Sequence, residues 1–179
     1  MKKTLSIDMS LRSSGVVILD RNDNLCDYQI ISTTSKEFPC DEDLINHLRD
    51  SIYHLILKHP SIDRFVIEGL SLNAKSGKMD VIAGAYWGIR SLIAERFSYI
   101  LIGSVPVNAW RNWATTKEER DFSKANCADW QKNVVFFKLP YDIQDLFLKY
   151  TIENKLKPTA AFDLCDAYWL AKYRNNLKE

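Results

Sequence analysis

With 179 residues, 46% of them hydrophobic and 26% charged, the chain has the composition of one ordinary folded domain; a disordered protein is excluded, and there is little room for a second domain beside 1-179. The 24 Lys+Arg against 23 Asp+Glu leave a net charge of only +1, so bulk charge neither announces nor rules out a nucleic-acid partner. Cys26, Cys40, Cys127 and Cys165 show no CxxC spacing and no histidine at zinc-finger distance, which predicts reduced thiols in a cytoplasmic protein.

The start, Met1-Lys2-Lys3, runs into a strand-like segment that already holds Asp8; it is too short and too polar for a signal peptide or membrane anchor. Residues 4–10, 15–20 and 25–33 read as three strands in an antiparallel meander, parted by 11–14 and the turn-like Arg21-Asn22-Asp23-Asn24. From 41 to 58, Leu44, Ile45, Leu48, Ile52, Leu55 and Ile56 keep the spacing of an amphipathic helix, stopped by Pro60. A short buried strand over 64–68, a helix over 79–97 and a strand over 99–105 predict a parallel crossover. Further on, 115–124 reads as a polar loop, 126–137 and 142–154 as helical pieces, and a last helix begins near Pro158 or Thr159 and ends near Asn175.

Four carboxylates stand in segments that otherwise read as buried. Asp8 lies in Leu5-Ser6-Ile7-Asp8-Met9, Glu68 ends Phe65-Val66-Ile67-Glu68, and Asp163 and Asp166 are the only charges between Ala160 and Ala171, three apart on one helix face. Each alone has a bland explanation: helix-dipole compensation for the last pair, a turn cap for Asp8, a salt bridge for Glu68. Together they call for a positive partner, because an ionised carboxylate is costly to bury unless it is paired or binds a cation. Hard oxygen ligands from separate elements suit Mg²⁺ or Mn²⁺, which are used to hold and cleave phosphate esters.

Ile7-Asp8-Met9-Ser10-Leu11-Arg12-Ser13-Ser14-Gly15-Val16-Val17 resembles the first motif of the RuvC family of Holliday junction resolvases. Phe65-Val66-Ile67-Glu68 resembles the second, Gly84-Ala85-Tyr86-Trp87-Gly88 is similar to the glycine-containing helix that follows, and Asp163-Leu164-Cys165-Asp166-Ala167 is similar to the closing Asp-x-x-Asp-Ala. The ordered set carries the likeness, from Ile7 to Tyr173. It implies an α/β, RNase H-like fold, a mixed five-stranded sheet with helices on both faces. It also implies two Mg²⁺ ions, with Mn²⁺ as a substitute, held by Asp8, Glu68, Asp163 and Asp166, with Asp8 bridging them. One ion then activates the attacking water and the other stabilises the leaving 3′ oxygen, so that 5′-phosphate and 3′-hydroxyl ends result. The partners implied are branched DNA, chiefly four-way junctions cut by paired symmetric nicks, and a second copy of the chain in a homodimer. Gly84, Ala85 and Gly88 are candidates for the dimer interface, or else pack on the sheet.

Where the bacterial enzymes place an aromatic wedge after the second acid, this chain has Gly69-Leu70-Ser71-Leu72-Asn73, with Leu72 as the substitute; this looks more like the diverged resolvases of phages or mobile elements. Arg111 stands nearest to the family's basic residues beyond the fifth strand. Asn73, Lys75 and Lys78, with Arg12, Lys117, Arg120 and Lys124 in other predicted loops, are the candidate DNA contacts. Trp110, Trp113 and Trp130 either stack on unpaired bases or pack in the core, and His47, His54 and His59 have no metal role. Three rival readings are a related actin-like ATPase or kinase, an RNase H-fold nuclease acting on other branched DNA or on RNA, and a non-catalytic junction-binding protein. The first needs a second domain and glycine-rich phosphate loops, for which 179 residues and 6 Gly leave no place.

Overall fold

The computed structural model describes residues 2–33, 38–70, 78–126 and 129–177. Strands β1 (Lys3–Asp8), β2 (Ser13–Asp20) and β3 (Leu25–Ser32) form the expected antiparallel meander. Helix α1 (Asp41–Lys58) leads into β4 (Ile62–Glu68), and α2 (Met79–Arg96) into β5 (Leu101–Val105). Strand β4 joins β1 in parallel and β5 joins β4 in parallel, so the sheet runs β3-β2-β1-β4-β5. Helices α3 (Val107–Ala114), α4 (Lys117–Asn126), α5 (Trp130–Phe136), α6 (Tyr141–Glu153) and α7 (Ala160–Tyr173) follow.

Strand alternation divides the core in two. Leu5 and Ile7 of β1 and Phe65 and Ile67 of β4 face α1 and α2, while Val17, Leu19 and Val66 face α7 and the helices around it. The sheet is therefore mixed, with helices on both faces, as expected. Period-two alternation also fixes where the acids go: Asp8 follows Ile7, Glu68 follows Ile67, and these two isoleucines are register partners. Both acids thus leave the ends of adjacent parallel strands on the α7 side.

Helix α7 is apolar almost all round because it is covered almost all round, with Leu164, Cys165, Asp166, Ala167, Tyr168 and Leu170 buried. Two small residues let it lie close on the sheet. The Ser6 hydroxyl, fully buried, donates to the Ala167 carbonyl at 2.6 Å. Gly15, opposite Asp8 in the β1–β2 ladder, lies directly under the main chain of Asp163, where a Cβ would overlap the carbonyl. The glycine thereby admits the first turn of α7 next to Asp8.

Residues 115–124, expected as a loop, belong for the most part to α4. The reason is a capping box: the Thr116 N–H donates to Glu119 Oε2 at 2.7 Å, and the Glu119 N–H donates to Thr116 Oγ1 at 3.2 Å. Helix α3 was not foreseen either; it follows Pro106 and buries Trp110 and Ala114, four residues apart. Ala85, a candidate either for a subunit interface or for packing within the chain, is fully buried in the core. Gly84 and Gly88 serve the contact between α2 and α1, where a Cβ would come within 3.1 Å of Ile45 and 3.2 Å of Arg49 respectively.

A main-chain obstacle cannot rotate away as a side chain can, so Gly15→Ala is expected to cost about 2 to 3 kcal/mol or more in chemical denaturation. A Gly15→Ala protein as stable as the parent would contradict this account of how α7 is seated.

Candidate active site

The four acids converge at one end of the sheet. Asp8 feels the charges of Glu68, Asp166 and Asp163, in that order of strength, and Glu68 lies within hydrogen-bond reach of Asp8. Their protein partners differ. Glu68 Oε1 accepts the Trp110 indole N–H at 3.0 Å. Asp163 Oδ2 accepts the Ser13 hydroxyl at 2.7 Å, and its Oδ1 stands 3.7 Å from Lys132 Nζ. Asp166 Oδ2 pairs with Arg111 Nη2 at 2.9 Å, while its Oδ1 is buried without a hydrogen-bond partner among the described residues. Among those residues, no lysine or arginine forms an ion pair with Asp8 or Glu68.

Four carboxyls therefore face two nearby cations, Arg111 and Lys132. Asp8 is half-buried as a residue, and its carboxyl is crowded by protein; burial first, and then its three acidic neighbours, raise its pKa well above the ordinary range. Glu68 is raised by burial against the opposing Trp110 hydrogen bond and Arg111 charge, and Asp163 by burial against Ser13 and Lys132. For Asp166, burial outweighs the Arg111 charge and lifts the carboxyl to about 6.

An unpartnered buried oxygen on Asp166 and an unneutralised Asp8 are what a cation would relieve, and an all-oxygen donor set fits a hard divalent ion. Among the described residues no three acid, histidine or cysteine side chains are close enough to enclose one ion. Magnesium needs no such cage, since it keeps several waters and uses one or two carboxylates together with substrate phosphates. The donor chemistry of the acids thus fits such an ion, which would compete with Arg111 for Asp166 and with Lys132 for Asp163.

The other candidates are spread around this centre. Arg12 is exposed in the turn between β1 and β2, beyond Asp8. Lys78 is on the surface in an ion pair with Asp41 at 2.9 Å, whereas Leu72, Asn73 and Lys75 lie outside the described residues. Lys117 and Lys124 are exposed on α4, which buries no residue of its own and packs against α5, the helix that carries Lys132. Arg120 is turned inward, donating to the Thr115 carbonyl at 2.6 Å. Trp110 is fully buried and Trp130 packs on the core, so of the three tryptophans considered for stacking only Trp113 is substantially exposed, at 44%. Sequence reasoning missed Ser13, Trp110 and Lys132 as partners of the acids. Ser13 was legible as part of the first motif and Trp110 as the neighbour of Arg111, but nothing marked Lys132 among the other lysines.

Each raised carboxyl binds its proton more tightly in the folded chain than in the unfolded one. Its contribution to stability is complete below about pH 4 and is lost as pH rises through the folded value, about 6 for Asp166. Without divalent metal, Asp8→Asn should therefore melt higher than the parent at neutral pH, by roughly 3 °C or more, with the gap shrinking toward about pH 4. A variant that melts lower than the parent at neutral pH would contradict the crowding of charge at Asp8.

No protein-family model matches the sequence, and no curated protein does. Solved structures do share the architecture. RuvC of Thermus thermophilus superposes with a TM-score of 0.63 at 10% identity, over 97% of this chain and 96% of that one. The same organism's RuvC in complex with a Holliday junction substrate gives 0.60 at 9%, over 98% and 96%. The yeast mitochondrial Holliday junction resolvase gives 0.58 at 13%, over 95% of this chain and 76% of that one. At such identities what is shared is the fold: this chain has the RuvC-like form of the RNase H-like fold.

Proposed function

We propose that the protein is a divalent-metal-dependent endonuclease that resolves four-way DNA junctions. The observation that carries the reading is the meeting of Asp8, Glu68, Asp163 and Asp166, from β1, β4 and α7, at one end of the sheet of a RuvC-like fold with more negative charge than the neighbouring cations balance. Asp8, which feels the charges of the other three acids, is the carboxylate we assign to both ions, and Glu68, Asp163 and Asp166 would complete their ligands. Bound Mg²⁺ or Mn²⁺ supplies an activated water and stabilises the charge on the leaving oxygen. Ser13 and Trp110 orient Asp163 and Glu68. Arg111 and Lys132, once released from Asp166 and Asp163, are within reach of the phosphate that the acids would address.

Arg12, Lys78, Lys117 and Lys124 are proposed to hold the DNA arms through phosphate contacts, together with Asn73 and Lys75, while Leu72 takes the place of the aromatic wedge; these last three lie outside the described residues. A junction with two equivalent strands to cut asks for two sites related by a two-fold axis, so the working form is a homodimer that leaves 5′-phosphate and 3′-hydroxyl ends. No helix among the described residues is long and apolar enough to cross a membrane, and we place the activity in the cytoplasm.

With Mg²⁺, a synthetic four-way junction should be nicked at opposed positions in preference to linear duplex and to an RNA:DNA hybrid. Asp8→Asn should bind the junction with near-parental affinity and lose at least about a hundredfold in cleavage, because removal of one carboxylate leaves the phosphate contacts in place. Equal cleavage of the duplex, or full activity in Asp8→Asn, would overturn the assignment.

A further inference from the structure

Trp110 and Arg111 are consecutive on α3, and each grips an acid from a different element. The Trp110 indole N–H donates to Glu68 Oε1 at 3.0 Å, and the Arg111 guanidinium, paired with Asp166, lies over the same indole ring at 5.0 Å from its centroid. Trp110 has no exposed surface. It is packed with Val66, Val105, Ala114 and the α7 residues, so its N–H cannot swing aside to follow a moving carboxylate. One lone pair of Glu68 Oε1 is thereby engaged by a rigid donor, and the carboxylate plane is held by a ring that is itself clamped, which opposes the turn that would bring both oxygens onto one ion.

This constraint favours one kind of cation over another. Ca²⁺ takes six to eight oxygens at about 2.3–2.6 Å and commonly uses both oxygens of a carboxylate, whereas Mg²⁺ requires near-octahedral geometry at about 2.0–2.1 Å and is served by single carboxylate oxygens plus water. We infer that Trp110 is a positioning residue that holds the Glu68 carboxylate for coordination through a single oxygen and so sets the preference of the acid cluster for Mg²⁺ over Ca²⁺. The inference rests on the metal-dependent reading above but requires no DNA and no turnover.

The test is a thermal-shift titration of the DNA-free protein with MgCl₂ and with CaCl₂, for the parent and for Trp110→Phe, which retains a ring and removes the donor. The half-saturating concentrations should give a Ca²⁺/Mg²⁺ ratio that moves toward Ca²⁺ by about tenfold in the variant. A purely structural tryptophan would lower the starting Tm and weaken both ions alike, so an unchanged ratio overturns the inference. A parent protein whose Tm responds to neither ion overturns the metal reading itself, and this inference with it.

Should Trp110→Phe not fold, the parent's indole N–H resonances give the same answer. The resonance broadened first by trace Mn²⁺ should remain protected from solvent exchange at saturating Mg²⁺. Loss of protection with Mg²⁺ would show that the Glu68 contact does not survive ion binding, and the absence of any broadened indole would show that no ion binds beside Trp110; either result would overturn the assignment.

Discussion

Close seating of α7 on β1 and β2 is the constraint from which the rest of this structure follows. Asp163 and Asp166 belong to a helix, Asp8 and Glu68 to strands, and they meet because Gly15 and Ser6 let the helix backbone come down onto the sheet. The resulting crowd of like charge is unfavourable by itself. Burial raises all four carboxyls, and mutual repulsion adds to this most strongly at Asp8. Apolar packing elsewhere must hold it together, and two separate clusters, one on each side of the sheet, do so. Such opposition between stability and local charge is what a bound cation would relieve.

The chain meets that charge in part with its own groups. Arg111 and Lys132 each take one α7 acid, while Glu68 is held by a neutral indole and Asp8 by no ion pair among the described residues. Cations supplied by side chains can be displaced, and they remain on hand when displaced, beside the position a phosphate would take. The same two residues thus suit two states of the pocket. The neutral, immobile Trp110 suits only one, because it cannot be exchanged for an ion and continues to orient Glu68 whatever else moves.

Much of this was legible in the sequence, and the reasons are local. Asp8 and Glu68 end apolar strand runs, where period-two alternation dictates the face of each side chain; the pairing of β1 with β4 then makes them neighbours. Asp163 and Asp166 stand three apart as the only charges of α7 before Lys172 in its last turn, which marks them as inward-facing. The region between β5 and α6 was harder to read. Its helices are short, and α4 buries nothing, so hydrophobic periodicity had little to register; the Thr116–Glu119 capping box was the signal available. The small residues of α2 could serve an interface or an internal contact, and sequence alone does not distinguish these; the structure gives Gly84 and Gly88 to α1 and Ala85 to the core. Lys132 reaches Asp163 only through the tertiary placement of α5, which no local pattern encodes.

The proposed function requires Asp8, Glu68, Asp163 and Asp166 to bind divalent cations as one cluster. Anomalous scattering from crystals soaked in Mn²⁺ tests it most directly. The account predicts difference density lying between Asp8 and its acidic neighbours, with Arg111 and Lys132 drawn back from α7. Manganese bound only elsewhere on the protein, with both ion pairs intact, would contradict it.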